Sequence, residues 1–101
     1  MAAFLYEFEW DSSKARANFS KHGVDFERAT EVFRDPLALT IRDEEHSVDQ
    51  FRWITMGKDA HGQYVLVVHT FEQINNATGR IRVISARRPT LSETRDYEEQ
   101  Q

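Results

Sequence analysis

The sequence predicts a single α+β domain that spans residues 1–101 and has the element order β-α-α-β-β-β-β-α. Helical patterns are confined to one stretch near the N-terminus and one at the C-terminus, whereas strand patterns fill the region between them. A chain of 101 residues fits one domain and leaves little room for a second. Because short turns separate the consecutive strands, we expect an antiparallel sheet with the helices packed on one of its faces.

The first predicted strand covers residues 4–10, in which aromatic side chains occupy every second position: Phe4, Tyr6, Phe8 and Trp10. Aromatic residues that alternate with polar ones indicate a half-buried strand. Asp11 follows and can cap the N-terminus of a helix over residues 12–22. That helix is expected to end at Gly23, since glycine is favoured at helix C-termini.

A second short helix is predicted over residues 26–34, after a capping Asp25 and before Pro36. The two helices should form a helical hairpin. Four further segments are rich in β-branched and apolar residues and predict strands: 37–43, 51–58, 63–71 and 80–86. The polar segment 72–79 between the last two strands is predicted to be a loop.

A C-terminal helix is predicted over residues 91–98. Thr90 and Glu93 match a capping box, in which each side chain accepts a hydrogen bond from the other residue's backbone amide. This match indicates where the helix begins, and the order of elements is then complete.

The composition indicates a soluble globular protein that lacks a membrane segment. The formal net charge is −4 and cysteine is absent, so neither disulfides nor thiolate metal ligands support the fold. No apolar run approaches the roughly 18 residues of a membrane helix, and the N-terminus lacks the features of a signal peptide. We therefore expect a cytoplasmic protein, and the acidic charge argues against a general nucleic-acid binder.

Three segments, in their order along the chain, resemble the BrnT toxin family. The first comprises Phe8–Asp11, Lys14-Ala15, Asn18 and Lys21–Val24; the second comprises Phe26–Ala29, Val32-Phe33 and Asp35-Pro36; the third comprises Ile84–Arg88, Glu93 and Tyr97–Glu99. The most specific part is the string Asn-x-x-Lys-His-Gly-Val at residues 18–24. The resemblance covers nearly the whole chain.

This resemblance implies a RelE-like fold and the activity of a ribonuclease that slows growth by cleaving RNA. It also implies a BrnA-like antitoxin that neutralises the toxin and binds the operator DNA, so that this chain contacts DNA only indirectly. Toxin and antitoxin of the family associate into a higher-order complex, and a homo-oligomer of the toxin alone is a further expectation.

The sequence departs from the family pattern in two respects. Residues 72–79 are longer than the short turn common in the family, and they contain no basic residue. The net charge of −4 is also more acidic than is usual for these toxins. Both departures bear on how well the chain cleaves RNA.

Cleavage of RNA without a metal needs a base, an acid and positive charge that offsets the charge of the reacting phosphate. The segment 80–88 carries four arginines and no acid: Arg80, Arg82, Arg87 and Arg88. Arginine binds phosphate through two parallel hydrogen bonds, so we assign Arg87 and Arg88 to the catalytic site. Arg80 and Arg82 share one strand face and are assigned to RNA binding. The alternative is a solvated face whose arginines pair with acidic residues.

Two more residues are candidate acid–base groups, namely His22 and Glu72. A histidine titrates near neutral pH, but at a helix C-terminus it also interacts favourably with the helix dipole. Three residues are candidate RNA contacts: Lys14, Lys21 and His69. The alternatives are solvation at the surface for the lysines and packing in the sheet for His69.

We expect neither a metal nor another cofactor. The sequence contains no zinc-ligand spacing and no glycine-rich phosphate loop. The run Asp43-Glu44-Glu45-His46 has suitable ligand types, but consecutive residues of a loop need not converge on one ion.

The leading hypothesis is a type II toxin that acts as a metal-independent endoribonuclease on mRNA and arrests growth until a BrnA-like antitoxin neutralises it. The second hypothesis is a catalytically weak or inactive antitoxin-binding module that contributes to operon autoregulation. Such a module would offer an exposed apolar patch or a sheet edge to its partner. A third is a degenerate homologue with neither role.

Overall fold

The computed structural model describes residues 4–45 and 51–100. The elements are, in chain order, β1 (Leu5–Glu9), α1 (Ser12–His22), α2 (Phe26–Thr30), a short 3₁₀ helix (Glu31–Arg34), β2 (Leu39–Arg42), β3 (Trp53–Lys58), β4 (Tyr64–Asn75), β5 (Thr78–Arg87) and α3 (Leu91–Glu99). This order is the one predicted from the sequence. Within the described residues, no helix is long and apolar enough to cross a membrane.

The sheet has five strands in the order β1-β5-β4-β3-β2. Strands β2 to β5 form the expected antiparallel meander. The expectation of a fully antiparallel sheet is wrong for β1, which pairs with β5 in parallel. Because most of the chain separates these two strands, no tight turn forces them into the antiparallel orientation of a hairpin.

One face of the sheet, here called the front face, is covered by α1, α2 and the 3₁₀ helix. It carries the main core, which comprises Val24, Phe26, Ala29, Val32, Val65, Val67, Ile81, Val83 and Ala86. Val65 and Val67 are two positions apart on β4 and so point to the same face. The apolar side chains of the helical hairpin therefore pack directly on β4 and β5.

The other face, here called the back face, is partly covered by α3. Tyr97 of α3 is 2% exposed and packs against Met56 and Leu66. Leu66 lies between Val65 and Val67 on β4 and therefore points away from the front face. The expectation that all helices pack on one face is wrong, because the strand alternation leaves apolar side chains on the back face that α3 covers.

The helix ends agree with the sequence signals, except that the second predicted helix, residues 26–34, is α-helical only to Thr30 and continues as a 3₁₀ helix to Arg34. Asp11 accepts a hydrogen bond from Lys14 N, and Asp25 accepts one from Arg28 N. Gly23 ends α1 with a φ of 70°, the left-handed region that favours glycine. The capping box of Thr90 at the start of α3 is present as predicted.

The family-like string at residues 18–24 contains a buried structural clamp. Asn18 is 8% exposed. Its amide nitrogen donates to Val24 O at 3.1 Å and to Ala86 O at 2.8 Å. Its Oδ1 accepts from Ala86 N at 3.1 Å. This one side chain thus joins α1 and the turn after it to the end of β5. It thereby holds in place the backbone that leads into Arg87 and Arg88.

The predicted loop over residues 72–79 is wrong. Strand β4 runs to Asn75 and β5 begins at Thr78, so the segment is the tip of a long hairpin. Two aromatic rings pack onto the backbone of Gly79, where an added Cβ would lie 2.5 Å from Phe71 Cε2 and 3.0 Å from Phe4 Cε2. The polar composition of the segment predicted a loop. It did not reveal the contacts of Phe4 and Phe71 with Gly79, which join residues that are distant in the sequence or lie on neighbouring strands.

Candidate functional site

The back face carries a group of charged side chains on β1, β4 and β5, with one more on α3. We call it the back-face cluster, and its members are Glu7, Glu9, Glu72, Arg80, Arg82, Arg87 and Glu93. Arg80 lies directly across from Glu7 on one neighbouring strand and Glu72 on the other. Residues that are direct partners on adjacent strands point to the same face, so these three side chains form one row. Four of the nine residues predicted from the sequence to form the site therefore lie on this face, with Arg80, Arg82 and Glu72 at one end of β5 and Arg87 at the other.

Two exposed ion pairs link β1 to β5 in this cluster. Arg80 lies 3.5 Å from Glu7, and Arg82 lies 3.6 Å from Glu9. The four side chains are between 39% and 57% exposed. Exposed pairs of this kind are worth about 0–1 kcal/mol, so either arginine can exchange its carboxylate for a phosphate at small cost.

The ion pair between Arg87 and Glu93 is tighter. Both guanidinium NH groups of Arg87 donate to Glu93 carboxylate oxygens, each at 2.9 Å. The hydrogen bonds from Arg87 lower the pKa of Glu93 to about 2. Glu93 raises the pKa of Arg87 in turn. Because Glu93 also accepts from Thr90 N at 2.8 Å, the capping box of α3 holds the carboxylate that Arg87 binds.

Arg88 points to a different part of the molecule. It donates to Tyr64 O at 3.0 Å and to Gln63 Oε1 at 3.1 Å. It also lies 3.9 Å from Asp59 Oδ2, whose side chain is fully buried. Adjacent residues of an extended chain project in opposite directions, and the separate partners of Arg87 and Arg88 agree with that. They do not form one phosphate-binding pair.

Three of the predicted residues lie on α1, the helix that packs on the front face. Lys14 and Lys21 are exposed, and His22 is half-buried at the C-terminus of the helix. None of the three forms a hydrogen bond or ion pair with the described residues of the back-face cluster. The structure therefore does not bring them together with Arg80, Arg82 or Glu72.

His69 also lies on the front face and is 3% exposed. Its Nδ1 is 3.1 Å from Thr70 O, and its Nε2 is 2.7 Å from Thr55 Oγ1. The ring packs edge-on against Phe33, with the centroids 4.9 Å apart. Burial lowers the pKa of His69 below 6.5, so the ring is neutral at neutral pH.

The sequence analysis missed Glu7 and Glu9 as members of the cluster. Both alternate with aromatic residues along β1, with the same spacing of two as Arg80 and Arg82 on β5. That matched spacing was the only signal in the sequence. It becomes meaningful only once β1 and β5 are known to be neighbours.

Metal ligands do not cluster in the described part of the chain. No three His, Asp or Glu side chains in residues 4–45 and 51–100 are arranged so that they could hold a metal ion. Asp43, Glu44 and Glu45 are described, whereas His46 lies outside the described residues.

The model of one protein family matches residues 10–93 of this chain: ribonuclease toxin, BrnT, of type II toxin–antitoxin systems. The chain belongs to the BrnT toxin family. The match includes the Asn18 clamp and β5 with its arginines, but it begins after β1. As a member of this family, the chain has an antitoxin as its expected counterpart. No curated protein matches the sequence.

A solved structure shares the fold. The crystal structure of the ribonuclease toxin BrnT from Brucella abortus superposes with a TM-score of 0.55, covering 89% of this chain and 99% of that chain. The sequences are 20% identical over this match. This similarity confirms the α+β architecture that the sequence of this chain predicted.

Proposed function

We propose that this BrnT-family protein is an endoribonuclease that cleaves mRNA in the cytoplasm, arrests growth and is neutralised by a BrnA-like antitoxin. The observation that carries the proposal is the row on the back face in which Arg80 lies between Glu7 and Glu72. Arg82 lies two positions along the same strand and faces the same side. A potential base and two phosphate-binding cations thereby share one open surface.

The chemistry assigned to this surface uses the 2′-hydroxyl of the RNA as the nucleophile. Glu72 would take the proton of the 2′-hydroxyl while the 2′-oxygen attacks the adjacent phosphorus. The bond from phosphorus to the 5′-oxygen breaks, the leaving 5′-oxygen takes a proton from water, and the products are a 2′,3′-cyclic phosphate and a 5′-hydroxyl end. Arg80 and Arg82 would offset the charge that develops on the phosphate oxygens. Because the nucleophile belongs to the substrate, this route needs no metal, and activity should persist in EDTA.

The test is induced expression of the chain in bacteria, with growth and the integrity of total RNA as readouts. We expect growth arrest with RNA loss, and relief when the adjacent open reading frame is co-expressed. The double variant Arg80→Gln/Arg82→Gln should abolish the RNA loss. Arg16→Gln, a change to an exposed arginine of α1, is the matched control and should remain toxic.

Two results would contradict the proposal. One is normal growth with intact RNA at confirmed soluble expression of the unaltered chain. The other is full toxicity of the double variant, which would leave the ribonuclease assignment standing but remove these arginines from its site. The variant Arg88→Gln changes an arginine outside the cluster. A loss of toxicity in this variant would mean that residues outside the back-face cluster contribute to RNA cleavage.

A second candidate function is supported by the charge balance of the cluster. The arginines Arg80, Arg82 and Arg87 each have a carboxylate partner within 3.6 Å. A surface whose cations are compensated in this way attracts RNA weakly. It would suit a catalytically weak module that holds its antitoxin and contributes to autoregulation of the operon, with operator DNA contacted only through the antitoxin.

The variant Glu7→Gln/Glu9→Gln separates the two functions. If the carboxylates mask a working ribonuclease site, removing them should strengthen RNA binding about fivefold, corresponding to about 1 kcal/mol, and steepen its dependence on salt. The binding-module function predicts no RNA binding in either protein and an unchanged affinity for the antitoxin. Binding of a fluorescent RNA at several salt concentrations measures the difference.

A further inference from the structure

A pocket opens on the front face, at the edge of the region that the helices cover. Its volume is about 230 Å³, below the range of roughly 300–1,000 Å³ that is typical of sites for drug-sized ligands. Four aromatic side chains form its walls: Tyr6, Phe33, Trp53 and Phe71. Tyr6 and Phe71 are 44% and 42% exposed, so the walls are open to solvent. The size and the flat walls suit one planar ring system.

The floor of the pocket is a chain of three hydrogen-bonding side chains. Thr40 Oγ1 lies 2.8 Å from Thr55 Oγ1, and Thr55 Oγ1 lies 2.7 Å from His69 Nε2. The carbonyl of Thr70 can only accept, so Nδ1 of His69 carries the ring proton. In a neutral ring Nε2 then accepts, which makes Thr55 the donor to His69 and Thr40 the donor to Thr55.

This order of donors and acceptors decides which hydrogen-bonding group the pocket offers to a ligand. The hydroxyl protons of Thr40 and Thr55 are both committed along the chain, so the lone pairs of Thr40 Oγ1 remain for a ligand. Thr40 is exposed and lines the pocket. The floor therefore presents an acceptor, and the ligand atom that meets it must be a donor.

The pocket is connected to the back-face cluster by one short segment of β4. Phe71 points to the pocket, and the next residue, Glu72, points to the cluster. Pairing between β3 and β4 ends at His69, so within the described residues β4 beyond that point pairs with β5 alone. A single strand of RNA can pass over this short free edge from one face to the other.

We infer that the pocket is a subsite for a nucleobase with an exocyclic amine, that is adenine, cytosine or guanine rather than uracil, in single-stranded RNA whose reacting phosphate lies at the back-face cluster. The inference rests on the proposed ribonuclease function. The amine donates to Thr40 while the ring stacks on the aromatic walls, a contact worth about 1–3 kcal/mol per base in single-strand binders. Uracil presents its N3–H between two carbonyl oxygens, which the acceptor on the floor repels.

The test measures binding of RNA that cannot be cleaved, because 2′-O-methyl hexanucleotides lack the attacking hydroxyl. The chain has two tryptophans, and Trp53 lines the pocket, so intrinsic fluorescence reports on its occupation. We expect the 2′-O-methyl-adenosine hexamer to bind about fivefold more tightly than the uridine hexamer, as expected for one hydrogen bond. Trp53→Phe should remove the fluorescence response.

The decisive variant is Thr40→Val, which keeps the shape of the side chain and removes the acceptor. It should bring the two affinities to within about twofold, and Thr40→Ser should restore the preference. Thr94→Val, on α3 and away from the pocket, is the matched control and should keep the preference. Equal affinities in the unaltered protein, or a preference that survives Thr40→Val, would overturn the inference.

Two further outcomes separate this inference from its alternatives. If only the antitoxin changes the Trp53 fluorescence and neither hexamer does, the pocket holds a protein side chain and the inference fails. Glu72→Gln should abolish RNA loss in cells yet keep the preference for adenosine. The base subsite and the proposed cleavage site can therefore fail independently.

Discussion

The two faces of the sheet differ in what their side chains do. The front face buries an apolar core under the helical hairpin, and the buried His69 has hydrogen bonds at both ring nitrogens. The back face is open over β1 and the outer part of β5, where its arginines are paired at the surface with glutamates. Stability therefore depends mainly on the front face, while the charges of the proposed site lie on the back face.

This division has a physical cause. Burying a Val, Leu or Phe side chain contributes about 1.5–3 kcal/mol, whereas an exposed ion pair contributes about 0–1 kcal/mol. Residues with little effect on stability can be chosen for chemistry, and ion pairs such as Arg82–Glu9 can be exchanged for contacts to a ligand. The tightest pair, Arg87–Glu93, joins β5 to α3 and so also helps to hold that helix on the sheet.

The largest expected effect comes from removing a ring of the front-face core. Phe26 is 1% exposed and packs edge-on against Trp10, with ring centroids 6.0 Å apart. Phe26→Ala should lower the free energy of unfolding by about 3–5 kcal/mol, since it leaves a cavity. Phe19→Ala removes the same atoms from a side chain that is 54% exposed, and should cost less than about 1 kcal/mol. Urea unfolding measures both, and similar losses would contradict the comparison.

An intermediate effect is expected where the back face is anchored. The hydroxyl of Tyr97 donates to Asp35 Oδ2 at 2.6 Å. Burial would raise the pKa of Asp35, but hydrogen bonds, first that from Tyr97, outweigh it and the pKa is lowered. Tyr97→Phe should therefore cost about 1.5–3 kcal/mol of stability, the range for a hydrogen bond to a charged group.

The control for this change is Tyr64→Phe. The hydroxyl of Tyr64 donates at 3.1 Å to Glu98, which is exposed and can bind water instead. That variant should lose less than about 1 kcal/mol in the same urea titration. Equal losses for the two variants would mean that the bond to Asp35 has no special part in anchoring α3.

The smallest expected effect is a dependence of stability on pH from the front face. Because the pKa of His69 is lowered in the folded protein, the unfolded chain takes up a proton below pH 6.5 that the folded chain resists. Stability from this residue is therefore complete above pH 6.5 and falls as the pH drops, by at most about 1.4 kcal/mol at pH 5.5. In His69→Gln this part of the decrease should vanish, and parallel decreases in both proteins would refute the assignment.

Much of the fold was predictable because its signals are local. The caps at Asp11 and Asp25, the glycine that ends α1 and the capping box at Thr90 each depend on residues three or four positions apart. The alternation in β4 likewise predicted a strand without knowledge of its neighbours. The family-like string around Asn18 was also recognisable, although its reason, a clamp on Ala86, was not.

The candidate site was predictable only in part. Arg80, Arg82, Arg87 and Glu72 share one face, but His22, Lys14 and Lys21 lie on a helix against the other face. Residue type and charge identify groups that are capable of chemistry. They do not tell which of them converge, because convergence depends on strand neighbours from distant parts of the chain.

The sequence alone therefore determined the order of elements and most helix ends, which depend on short-range patterns, and it indicated the BrnT family through three segments along the chain. The tertiary structure decided that β1 lies parallel to β5, that α3 covers the back face, and that Glu7 and Glu9 pair with the arginines of β5. The physical reason is that these features are contacts between segments separated by most of the chain. Burial of apolar area selects such contacts, and no local preference encodes them.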